Sequence, residues 1–268
     1  MVKRNSKPEI WDSSTVKSET LYQASFSTLT VWLKRSGEDW YLASQRPDKE
    51  TDPAPLSEVK GRKPRQDLNF SRWVVGQDVS TVQFVPAMPD RSIVVRPAVP
   101  LKVPAGKDAL FFMSIPVWVR VMAQPPNGII LCELPSLILS NTWFGEPTSG
   151  ELCYALRTRA MRSLEEIEKR PYTAICPVSI RNRAPKELNF ERLCVRVEYL
   201  HVYRGRQRLW TNELEMRYQG DEHSSQVTIG KGAPKFAEDL EKVCEAREPV
   251  EKTLLKQSFS FLRSLTGF

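Results

Sequence analysis

Between Phe111 and Val121 every second residue is apolar: Phe111, Met113, Ile115, Val117, Val119 and Val121. A period of two lines one face of a pleated strand, whereas a helix needs apolar positions three and four apart. The stretch therefore predicts a single strand with one buried face. Upstream, Pro97, Pro100, Pro104 and Gly106 interrupt short β-rich pieces at the spacing of sandwich strands and turns. The same pattern recurs along the chain. Residues 26–35 and 40–44 flank the turn-forming Ser36-Gly37-Glu38-Asp39, and 151–159 and 173–183 alternate again. Leu193, Val195, Val197 and Tyr199 are predicted to share one strand face, with Gly205 turning the chain back through Trp210, Leu214, Met216 and Tyr218. The apolar run 129–139, broken by Glu133 and Pro135, reads as a buried β segment, and 162–170 reads as one or two turns of helix.

A chain of 268 residues can build its own core without covalent staples. The expected architecture is all-β, with two sandwich-like domains of immunoglobulin size and a short helix at the C-terminus. The first domain is placed at 1–145 and carries a charged, proline-rich excursion at 45–65 that has little apolar matter to bury. A basic second domain follows at 146–230, then a linker and amphipathic helix over 231–268. In that tail Glu248-Pro249 marks a helix start. Leu254, Phe261, Leu262 and Leu265 belong to an apolar stripe that either packs on its own domain or docks on a partner.

Five cysteines, Cys132, Cys153, Cys176, Cys194 and Cys244, form an odd set without CxxC or CxxH spacing. Neither a disulfide framework nor a metal site is expected from them, and no cofactor is implied. Thiols without a staple pattern point to a reducing, cytoplasmic compartment. No apolar core follows the charged N-terminus and no window supplies 18 uninterrupted apolar residues, so neither a signal peptide nor a transmembrane segment is expected.

Catalytic signatures are equally sparse. Of the two histidines, His201 falls on an apolar strand face and His223 in a polar segment, and no GxSxG, HExxH or phosphate-loop spacing occurs. No catalytic residue is assigned. Charge is more telling: residues 155–210 hold 13 Lys and Arg against 6 Asp and Glu, an excess equal to the +7 of the whole chain. Arg157 and Arg159, Arg181 and Arg183, and Arg204 and Arg206 lie two apart, so each pair projects from one side of an extended segment. Such a ladder can bind phosphate, anionic lipid or an acidic protein face, or serve only as a solvated sheet face. Nucleic acid is not expected, because no recognition module accompanies the charge.

The stretch from Pro135 to Arg159 contains Trp143-Phe144-Gly145-Glu146-Pro147, then Gly150-Glu151-Leu152-Cys153-Tyr154 and the Arg157-Thr158-Arg159 step. With these blocks, the chain resembles the uncharacterised prokaryotic family called domain of unknown function 432. The resemblance extends to 103–121 and 177–193 and covers most of the chain outside its tails. It implies no assigned activity, cofactor or catalytic residue, and a genomic association with small-conductance mechanosensitive channels. Together these readings favour a non-enzymatic intracellular interaction module acting at the inner face of the membrane beside an integral membrane partner such as a mechanosensitive channel, or on an acidic protein surface. The alternative class is an enzyme with an inter-domain cleft acting on a phosphorylated or carbohydrate substrate.

Overall fold

The computed structural model describes residues 9–60, 68–76, 78–126, 128–220 and 226–249. Those residues form 22 strands and one short 3-10 turn, so the fold is all-β, as its periodicity required. The chain divides into two compact units, each discontinuous in sequence: 1–86 with 117–137, and 87–116 with 138–268. The expected contiguous boundary at 145 is therefore not the structural one. The alternating segment 111–121 shows why. It is not one strand but two, Asp108–Pro116 in the second unit and Trp118–Ala123 in the first, joined through Val117. Its six alternate residues are all buried, at 0 to 1% exposure. Alternation records which side is buried and is silent about which sheet does the burying.

In the first unit, an antiparallel five-stranded sheet runs in the order Ala54–Glu58, Leu21–Ser25, Thr30–Ser36, Asp39–Gln45, Ser71–Val74. Its central hairpin is the one expected, closed by a two-residue turn in which Gly37 has φ +58°. The 45–65 excursion is partly ordered, since Ala54–Glu58 forms an edge strand of this sheet. A second sheet orders Ser14–Thr15, Thr81–Ala87, Trp118–Ala123 and Ile129–Pro135. Aromatic contacts bind the layers: Phe26 meets Trp11 at 5.2 Å and Phe84 edge-on at 5.1 Å between ring centroids. Ile129 and Ile130 are about half exposed, so the 129–139 run is not the buried segment its hydropathy suggested. Its strand lies at the edge of the sheet, where only one side has a neighbour.

The second unit is built around Thr173–Asn182. Along one side it pairs antiparallel with Asp108–Pro116 from Thr173 to Arg181, and along the other it pairs parallel first with Leu209–Thr211 and then with Leu214–Tyr218. A separate four-stranded sheet orders Ser140–Phe144, Glu151–Thr158, Ile93–Pro97 and Leu193–Val195. Two buried asparagines tie loops to this frame. Asn182 Nδ2 donates to the carbonyls of Val103, Pro104 and Lys186 while its Oδ1 accepts from Ala184 N–H. Asn212 Nδ2 reaches the carbonyls of Gly230 and Gly232.

Three local expectations change here. Residues 162–170 form turns and bends instead of helix. The strand expected to run to Tyr199 ends at Val195, because Val197–Tyr199 is a 3-10 turn. The hairpin at Gly205 is the shorter pair Val202–Arg204 with Leu209–Thr211. The C-terminal stripe of Leu254, Phe261, Leu262 and Leu265 lies outside the described residues, as does His223.

Candidate functional site

The segment that carried the family resemblance folds into a hairpin, with Ser140–Phe144 antiparallel to Glu151–Thr158 and Trp143 opposite Leu152. Its connecting loop is fixed by one carbonyl. Glu146 O accepts from Ser149 N–H and Gly150 N–H at 3.2 and 2.8 Å and from the indole Nε1–H of Trp143 at 3.0 Å. Both glycines are sterically required. Gly145 has φ +108° and a Cβ there would sit 2.7 Å from the Gly150 Cα, while a Cβ on Gly150 would come within 2.4 Å of the Trp143 indole nitrogen. The Trp-Phe-Gly-Glu-Pro and Gly-Glu-Leu-Cys-Tyr blocks are thus the two arms and the loop of one rigid element.

Alternation gives this element two unlike faces. On the outer one, Trp143 and Leu152 are 49% and 47% exposed although both are large and apolar. Tyr154 follows on the same face; its hydroxyl donates to Asp90 Oδ1 at 2.8 Å, and the Arg91 guanidinium lies over its ring, 5.6 Å from the centroid. Burial, reinforced by Asp90, pushes the Tyr154 phenol above its ordinary value.

The inner face is buried and mixed. Phe144, Cys153, Val94 and Cys194 pack together, and beside them Arg196 binds both carboxylate oxygens of Glu151 at 2.8 and 3.3 Å. Glu198 accepts from Ser92 Oγ at 3.0 Å and lies 3.6 Å from the same guanidinium, yet its Oε2 and the Nε of Arg196 have no hydrogen-bond partner. Burial raises the Glu198 carboxyl above its usual range. The two thiols lie side by side, and their mutual interaction holds Cys153 below and Cys194 above the ordinary thiol value. Cys153 and Cys194 are 41 positions apart, and no spacing rule could have joined them.

The arginine ladder is divided by the structure. Arg181 pairs with Glu215 at 2.8 Å, Arg183 binds Asp108 through both terminal nitrogens, and Arg206 pairs with Asp239 at 2.6 Å. Arg204 stands in register with Leu209 and Glu241. Three of these four positions are taken up by ion pairs within the chain, so the ladder is not one free surface. Arg157 and Arg159 are exposed, and among the described residues no carboxylate pairs with either. Arg157 stands beside Arg96 on the neighbouring strand, a like-charge pair. Arg192 feels the Arg96 charge as well, and burial followed by that charge holds its guanidinium below the usual arginine range. Neither Arg96 nor Arg192 was singled out from sequence, because the row exists only across strand register. His201 accepts from Ala246 N–H through Nδ1 at 3.0 Å and so braces the chain after the last described strand.

A family model described as "Protein of unknown function (DUF432)" matches residues 10–263. The chain belongs to this family. No curated protein and no solved structure matches it. The match spans both units of the DUF432 chain and includes the whole two-faced hairpin.

Proposed function

We propose that this DUF432 protein is a non-enzymatic binding module and that the outer face of the 140–158 hairpin is the surface its partner meets. The observation that carries the reading is the exposure of Trp143 and Leu152 on an element whose loop is locked by Gly145, Gly150 and the Trp143–Glu146 hydrogen bond. A large apolar pair held rigidly in water costs little to order on binding, and Trp, Tyr and Arg are the residues that concentrate binding energy at interfaces. Arg91, whose guanidinium lies over the Tyr154 ring on that face, favours a partner of acidic character. The partner class that fits is an integral membrane protein presenting an acidic surface at the inner face of the membrane, of the mechanosensitive-channel kind. No helix among the described residues is long and apolar enough to cross a membrane.

The test uses the full-length protein as bait on detergent-solubilised native membranes, beside a Trp143→Ala/Leu152→Ala variant of matched thermal stability. Loss of one defined membrane protein by about tenfold or more in the variant is expected, from the cost of removing two central anchors. Equal capture by both baits would overturn the assignment.

A further inference from the structure

The inner face of the hairpin gathers a carboxylate and two thiols with no use in the docking role. Cys153 lies in Glu151–Thr158 and Cys194 in Leu193–Val195, and Ile93–Pro97 runs between these strands. Even so, both Sγ atoms and a carboxylate oxygen of Glu151 lie within 4.8 Å of one another. Two strand spacings hold the backbones about 9.5 Å apart, whereas a disulfide needs Cα atoms within about 7 Å. A direct sulfur–sulfur bond is out of reach. A metal ion is not, since it bonds each thiolate at about 2.3 Å and so joins sulfurs about 3.8 Å apart in a tetrahedral site.

We infer that Glu151, Cys153 and Cys194 form a binding site for one borderline-soft divalent cation of the zinc(II) class. The inference does not depend on the proposed docking role. Two thiolates and a carboxylate carry three negative charges, which the divalent ion and Arg196 balance. Loading releases both thiol protons to solvent, so binding tightens as pH rises. Arg196 grips both Glu151 oxygens and orients them, as outer-shell partners of metal ligands do, and each oxygen keeps a lone pair for the ion. The sulfurs are fully buried while the Glu151 side chain is 35% exposed, which makes the carboxylate the entry side. Three protein ligands leave the fourth tetrahedral position to water. A second sign of unmet demand is Glu198, 8% exposed, with an orphaned Oε2 beside the same Arg196.

Reduced, metal-free full-length protein titrated with cobalt(II) should bind one equivalent with a thiolate-to-cobalt charge-transfer band, which one equivalent of zinc(II) removes. Cys153→Ser and Cys194→Ser should each weaken binding by more than about 100-fold and Glu151→Gln by about 10- to 100-fold, as losses at or beyond those for outer-shell partners. Cys132→Ser/Cys244→Ser should leave it unchanged. X-ray absorption on the zinc-loaded wild-type protein needs no variant and should show two sulfur neighbours at about 2.3 Å with oxygen completing the shell. The inference is overturned by the absence of stoichiometric binding, by a shell with no sulfur or more than two, or by a band that survives either thiol substitution.

Discussion

The two faces of the 140–158 hairpin come from alternate residues of the same two strands, yet they face opposite demands. Trp143 and Leu152 stand about half in water, while their immediate neighbours Phe144 and Cys153 are 8% and 0% exposed. Inward residues are committed to packing and to the Arg196 network, and cannot change without a cost to folding. Outward residues carry little of that burden. An exposed Trp-Leu pair that adds little to the packed interior is free to be used for recognition.

Phe144→Ala breaks the inner side and carries the largest expected effect. Truncating a buried phenylalanine that packs against Val94, Cys153 and Cys194 should cost about 3–5 kcal/mol, read as a lowered urea midpoint at unchanged slope. A loss below about 1 kcal/mol would mean that the inner face is not a folding surface.

A smaller effect is expected at Glu198. Its folded carboxyl is raised above the ordinary 4.5, so the protonated form is favoured by folding. That contribution is fully present below pH 4.5 and is lost as pH climbs through the raised folded value. Glu198→Gln cannot titrate. Its melting temperature should therefore exceed that of the wild type at neutral pH, with the gap closing as the pH is lowered to 4.5. Parallel pH profiles for the two proteins would show that burial does not govern this carboxyl.

Leu152→Ala should change least. Half exposed and outside the inner cluster, it is expected to leave stability within about 0.5 kcal/mol of wild type by chemical denaturation. A larger loss would collapse the distinction between the faces and make the apolar pair a structural feature.

Much of the fold was legible in the sequence because alternation is a local property. The hairpin over 30–45 was readable from two apolar runs and a Ser-Gly-Glu-Asp turn, since register in a tight hairpin follows from the turn itself. The site was far less legible. The arginine ladder rested on spacing along single strands, and three of its members, Arg181, Arg183 and Arg206, were already engaged by Glu215, Asp108 and Asp239. Asp108 is 75 positions from Arg183, a distance at which charge patterning has no reach. Hydropathy misjudged Ile129 and Ile130 for a related reason: a strand at a sheet edge and one at its centre can have the same composition.

By itself, then, the sequence determined that this chain is all-β and which side of 111–121 turns inward. Those follow from side-chain period and backbone sterics, which act over a few residues. Tertiary structure alone decided that one alternating run serves two units, that Cys153 meets Cys194 across an intervening strand, and that Arg96 stands beside Arg157. Each depends on which distant strands share a sheet and in what register, a choice set by the burial of the whole core and encoded in no short stretch of it.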